Sequence, residues 1–247
     1  MDELYKLTKR KLIVGYVASI MFLVLYSINI TKPLSLFKNS SDLIKSDSKI
    51  LNLLFTILVI VFVGMLIYST IFVIKHKLNK EVNYTKKHYD ILDLLTIIPL
   101  FFAVIIFINT YFLSIAKVTG SSMEPTYYEG NTLIISTSTK NIQRYDILIV
   151  HVEEEIEDRL WIKRVVGLPG DKIKIQDNIL YINGEVITED YVVHPCVGNY
   201  ACNLEETILG EDEYIILGDN RNGSRDSRII GPISKSEIVG KVLINLN

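Results

Sequence analysis

Hydrophobic and polar positions divide this chain into two unlike parts. Residues 12–30, 50–74 and 94–116 contain no Asp, Glu, Lys or Arg. Each run is long enough to cross about 30 Å of hydrocarbon as a helix. A core helix of a water-soluble protein keeps a polar face with charges at helical spacing, and these runs have none. The pattern therefore predicts three N-terminal transmembrane helices. From Val118 onward, short apolar stretches rich in Val, Ile and Tyr alternate with turn residues, which is a β pattern. Strands are expected at 132–136, 147–152, 160–166, 172–176, 179–182, 185–188, 214–217 and 239–244. Asn183-Gly184 suits a type I′ hairpin turn and Pro169-Gly170 a type II turn. Residues 189–210 show no period and read as an excursion from the sheet. The expected architecture is a membrane-anchored all-β protein, with a membrane domain at 1–116 and a β-domain at 117–247.

Charge sets the expected orientation. Lys6, Lys9, Arg10 and Lys11 precede the first run, which is too long for a cleaved leader and has no small-residue cleavage pattern close behind it. It reads as a retained anchor. Lys75, Lys77, Lys80, Lys86 and Lys87 follow the second run, while the first loop carries only Lys32, Lys38, Lys45 and Lys49. The positive-inside rule then predicts a cytoplasmic N-terminus and a β-domain on the outer face of the plasma membrane. Residues 117–247 hold 13 basic and 21 acidic groups, a net of −8. That balance argues against a nucleic-acid partner, and against docking on anionic lipid by charge alone.

Cys196 and Cys202 both lie in the excursion. An oxidising compartment favours a disulfide between them, and two buried thiols are the alternative. Two sulfurs alone do not make a structural zinc site.

A serine nucleophile needs a base within hydrogen-bond reach. His151 and His194 are the β-domain's histidines, and neither has a Ser/His/Asp setting. Lys163 shares a strand face with Trp161 and Val165, and apolar neighbours would strip its hydration and favour the neutral amine. By spacing alone an exposed, snorkelling lysine is the commoner outcome.

Three ordered motifs change that balance. They are Gly120-Ser121-Ser122-Met123-Glu124-Pro125-Thr126, then Lys163-Arg164-Val165-Val166-Gly167-Leu168-Pro169-Gly170-Asp171, then Gly218-Asp219-Asn220-Arg221-Asn222-Gly223-Ser224-Arg225-Asp226-Ser227-Arg228. Together they resemble the bacterial type I signal peptidases, over residues 118–247. The resemblance implies an all-β peptidase domain on membrane anchors, with Ser122 as nucleophile and Lys163 as general base. It implies that Ser224 orients the lysine by a hydrogen bond. It also implies that Asp226 and Arg228 form a supporting ion pair, and that Asp219 and Arg164 stand behind the site. Gly120 occupies a position where some members have a serine that helps hold the oxyanion. That task then falls more heavily on the Ser122 backbone N–H. Asn222-Gly223 replaces the usual Asp-Asn, and Tyr145 replaces a common glycine.

The expected activity is a membrane-bound serine endopeptidase that removes signal peptides from exported preproteins, with no metal or organic cofactor implied. Its partners are those preproteins and the lipid bilayer. A self-cleaving Ser/Lys peptidase of the repressor type is the enzymatic alternative, and the membrane runs contradict it. An inactive accessory subunit on the same scaffold would be expected to lack Ser122 or Lys163, and both are present.

Overall fold

The computed structural model describes residues 2–31, 57, 59–64, 67, 68, 70, 71, 74, 75, 86–153, 158–198 and 202–247. It divides into two compact units, Met1–Tyr111 and Phe112–Asn247.

In the first unit, helix α1 (Asp2–Ile30) packs along helix α2 (Lys86–Tyr111). Lys11 pairs with Asp93. Gly15 lies so close to Thr96 that a Cβ there would stand 2.8 Å from its methyl. Phe22, Leu25, Ala103 and Ile106 share one apolar cluster. Near the other end, the Asn29 amide donates to Asn109 Oδ1 and Thr110 Oγ1, each at 2.8 Å. These buried polar groups satisfy one another, as an apolar surrounding requires. Numbers climb together on both helices through all four contacts, so α1 and α2 run parallel.

Among the described residues two helical stretches are long and apolar enough to span a bilayer, Lys6–Asn29 and Tyr89–Tyr111. Their exposed positions include Ile13, Val17, Ile20, Leu94, Ile97 and Phe101, an apolar surface suited to lipid. Three spans are thus not supported by the described residues. Of the expected middle span at 50–74, residues 57, 59–64, 67, 68, 70, 71 and 74 are helical, and the remainder lies outside the described residues. The expected third span, 94–116, is corrected at its end. Helix α2 stops at Tyr111, and Leu113–Lys117 forms strand β1, paired antiparallel with Thr132–Ser136, strand β2. An uncharged run does not by itself separate helix from strand, and here ladder pairing with β2 decides.

The second unit holds two sheets. Beyond β1 and β2 its strands are β3 (Ile147–Glu153), β4 (Asp158–Gly167), β5 (Lys172–Gln176), β6 (Ile179–Ile182), β7 (Glu185–Ile187), β8 (Leu204–Ile208), β9 (Glu213–Leu217), β10 (Ile233–Ser234) and β11 (Ile238–Asn245). The larger sheet has the order β1-β2-β11-β3-β4-β9-β10, and the smaller β7-β6-β5-β8. Asn183 and Gly184 both have positive φ, as the type I′ turn between β6 and β7 demands.

Strand β9 is apolar on both faces because it separates two cores. Ile215 and Leu217 join Val166, Ile173 and Leu180 on one side. Tyr214 and Ile216 join Leu148, Val150 and Val165 on the other. Strand β4 is central, between β3 and β9. Lys163 therefore lies inside the sheet rather than on an edge, opposite the fully buried Leu148. A short helix, α3 (Ser227–Ile230), follows β9 and is capped by Asp226.

Candidate active site

Ser122 sits in a turn held from two directions. Beside it, Met123 is fully buried and anchors the turn in the core. The Ser122 carbonyl accepts the Asn220 N–H at 3.1 Å, and the Asn220 side chain donates to the Ser121 carbonyl at 3.1 Å. The first motif is thereby tied to the third across a gap of nearly a hundred residues.

Lys163 reaches this turn from β4. Its Nζ donates to Ser122 Oγ at 2.9 Å and to its neighbour's carbonyl, Ile162 O, at 2.9 Å. Only 4% of the residue is exposed. Burial lowers its pKa to about 8, against smaller opposing effects from Asp226 and Asp219. Trp161 packs on the same face, with Nζ 5.5 Å from its ring centroid. The serine–lysine distance falls within the range that permits direct proton transfer.

The ion pair expected between Asp226 and Arg228 is present, and Asp219 and Arg164 form a second one. Arg228 binds Asp226 through Nε and Nη2, each at 2.8 Å, with both side chains buried. Asp226 also accepts the Gly218 N–H at 3.0 Å. Arg164 binds Asp219 through Nε at 2.8 Å and Nη2 at 2.6 Å. Thr126 adds a hydroxyl donor to the same carboxylate. Asp219 is fully buried. Paired guanidinium forks of this kind hold a loop in one geometry more than they add net stability.

Ser224 comes close without making the expected bond. Its Oγ is buried and has no hydrogen-bond partner in this structure. The residue packs against Gly218, where a Cβ would stand 2.2 Å from Ser224 Oγ and 2.6 Å from the Ser122 carbonyl oxygen. Gly218 is thus the point at which Ser122 and Ser224 are brought together, and any side chain there would push them apart.

At Gly120 φ is +78°, and nothing lies within 4 Å of where a Cβ would be. The position has room for a serine, at a backbone cost. Tyr145, at φ 73°, occupies a conformation normally left to glycine. Its carbonyl accepts from Arg164 at 3.1 Å, and its ring meets Tyr191 edge-on. Asn222 accepts the Val197 N–H at 3.2 Å. Cys196 and Cys202 form a disulfide. Among the described residues, no group of His, Cys, Asp and Glu could hold a metal ion.

Sequence reading missed Thr126, Gly218, Asn220, Arg221 and Glu189. Four of these lie inside quoted motifs, but their importance is in pairings across the fold. Glu189 lies in the aperiodic excursion, where no local pattern marks it.

The family described as "Signal peptidase, peptidase S26" matches residues 91–246. The chain belongs to the signal peptidase family. Signal peptidase I V of Bacillus subtilis (strain 168) is 36% identical over 139 residues, covering 51% of this chain and 81% of that protein. Signal peptidase IB of Staphylococcus aureus (strain COL) is 28% identical over 170 residues, covering 62% of this chain and 87% of that one. A crystal structure of a signal peptidase I from Enterococcus faecalis V583 matches at 31% identity and a TM-score of 0.35, over 43% of this chain and 100% of that one. This signal peptidase is a serine endopeptidase that cleaves signal peptides.

Proposed function

We propose that Ser122 is the nucleophile of this signal peptidase and Lys163 its general base. The observation that carries the assignment is the 2.9 Å contact between Lys163 Nζ and Ser122 Oγ, made by a lysine that burial inclines toward the neutral amine. Neutral Nζ takes the Ser122 proton as Oγ bonds to the scissile carbonyl carbon. The tetrahedral oxyanion is stabilised by the Ser122 backbone N–H, since Gly120 offers no side-chain donor. As the peptide C–N bond breaks, Lys163 returns the proton to the leaving amine, leaving an acyl-enzyme. Lys163 then deprotonates a water, which hydrolyses the ester and regenerates Ser122. The Asp226–Arg228 and Asp219–Arg164 pairs keep the third motif and the nucleophile turn in register. Ser224, beside Ser122 with its hydroxyl unbonded, is placed to support the lysine as it moves during turnover.

Small residues one and three positions before the cut fit shallow apolar subsites, which exclude bulk sterically. Full-length enzyme mixed with a preprotein should give one new N-terminus, three residues past a small-x-small pattern's first member. Replacing either small residue in the substrate by Phe should abolish the product. Equal cleavage of the Phe variants would contradict this specificity.

The parallel course of α1 and α2 supports a reading of the membrane organisation. Two helices that run parallel through a bilayer start on the same side, so the chain between them must cross back once. That geometry supports a third span at 50–74 and a three-span unit, residues 1–116 by sequence, ahead of the peptidase domain. Both helices begin beside basic clusters, which supports a cytoplasmic position for those ends and an outer-face position for Phe112–Asn247 at the plasma membrane. Ten residues lie between the end of α2 at Tyr111 and Ser122, and Leu113–Lys117 among them is strand β1. The exposed apolar residues Leu113 and Ile115 of β1, with Leu243, Ile244 and Leu246 at the end of the chain, favour contact with the lipid interface. Cysteines introduced singly at positions 80 and 140, read in intact cells with an impermeant thiol reagent, should label only at 140. Labelling at 80 alone would reverse the topology.

A further inference from the structure

Glu189, in the excursion between β7 and β8, is the meeting point of two chains of contacts that end on adjacent residues of the site. Its Oε1 accepts from Arg221 Nη2 at 2.6 Å and from the Tyr191 hydroxyl at 2.5 Å. The Glu189 and Arg221 side chains are only 7% and 4% exposed. From Arg221, Nε donates to the Gly218 carbonyl at 3.0 Å. From Tyr191, the ring lies 4.1 Å from the Arg164 guanidinium, which grips Asp219 through both nitrogens.

Gly218 and Asp219 follow the last residue of β9 outside its ladder, and Asn220 makes a single isolated bridge to His194 in the excursion. Yet they seat the nucleophile. The Asn220 N–H holds the Ser122 carbonyl, and Gly218 packs against both Ser122 and Ser224. The excursion carrying Glu189 is itself well tethered. Asn178 bonds both the N–H and the carbonyl of Cys196, the Cys196–Cys202 disulfide closes the loop, and Val197 bonds Asn222.

We propose that Glu189 is a positioning residue for signal-peptide cleavage, bracing Gly218 and Asp219 from the excursion so that the Ser122 turn keeps its place opposite Lys163. Burying two charges is costly, and an apolar pair of similar volume would fill the space at least as stably. An apolar pair would not hold the Gly218 carbonyl. The brace rests on the Ser122–Lys163 assignment and adds to it a part of the chain that carries none of the three motifs.

The test uses full-length enzyme in detergent and a preprotein substrate, with activity expressed per folded molecule. Glu189→Leu combined with Arg221→Leu removes both charges and leaves neither buried alone. The expected result is a fall in kcat of about tenfold or more with KM within about twofold and the fold retained. A folded double variant with kcat within twofold of wild type would overturn the proposal. If the double variant does not fold, Tyr191→Phe deletes one hydroxyl and keeps the ring under Arg164. Its kcat is expected to fall about threefold, and an unchanged kcat would overturn the proposal. A role in stability alone would lower the folded yield and leave kcat per folded molecule intact. Ser122→Ala, run alongside, separates the two claims. An active Ser122→Ala enzyme would sink the dyad whatever the Glu189 variants do.

Discussion

Ser122→Ala and Lys163→Met are each expected to remove cleavage of a preprotein to the limit of detection, a loss on the order of 10⁴-fold or more in kcat. The double variant is no worse than either single one, because nucleophile and base act as one unit and their losses do not add. The two substitutions part company in stability. Ser122 is half-buried in a turn, and its loss leaves the tethers through Met123 and Asn220 intact. Lys163 is a buried amine whose folded pKa is about 8 rather than 10.5. Between those values the unfolded chain binds the proton more readily than the folded one, so stability rises as pH rises from about 8 toward 10.5. Below about pH 8 the full cost of a buried ammonium is present. Lys163→Met is therefore expected to stabilise the enzyme at pH 7 by about 1–3 kcal/mol while destroying activity, measured by denaturant unfolding. A destabilised Lys163→Met protein would show that the lysine is held mainly as a structural donor.

The same lysine sets the pH profile. In free enzyme, kcat/KM should fall about tenfold per pH unit below a limb near 8, as Lys163 takes up the proton it must lack in order to act. A histidine base would place the limb nearer 6.5. Arg225 stands 5.9 Å from the Trp161 ring, on which the lysine also rests, so a substrate that displaces water from this face should move the limb lower still in kcat. A profile flat from pH 6 to 9 would exclude Lys163 as the base.

The β-domain was readable wherever a strand keeps its own period. Ile147–Val150 and Tyr214–Leu217 are uninterrupted apolar runs, and burial of every residue in each is the reason. Strand β8, Leu204–Ile208, was missed because Leu-Glu-Glu-Thr-Ile buries only Leu204 fully and its ladder to β5 is irregular. Strand β1 was absorbed into a transmembrane run because Leu113 and Ile115 face outward and are apolar, inverting the usual alternation.

Within the site, motif order pointed to Ser122 and Lys163 as candidates, and the structure supplies the distance between them. Lys163 could not be told from a surface lysine by spacing, because its burial depends on β9 and β3 flanking β4, a long-range pairing. Glu189 was invisible for a related reason. Its partners Arg221 and Tyr191 acquire meaning only once the excursion folds back onto the third motif. Tyr145 and Asn222, which looked like departures from the family pattern, turn out to hold Arg164 and Val197 through a carbonyl and a side-chain amide.

The central claim is that Ser122, and no neighbouring hydroxyl, forms the bond to the substrate. A peptide boronate carrying a signal-peptide C-terminus with a small final residue adds covalently to a nucleophilic serine in the geometry of the tetrahedral intermediate. Peptide mapping of full-length enzyme after this treatment should place the adduct on Ser122, with none formed in Lys163→Met at neutral pH. An adduct on Ser121 or Ser224, or an undiminished adduct on Ser122 without Lys163, would contradict the dyad.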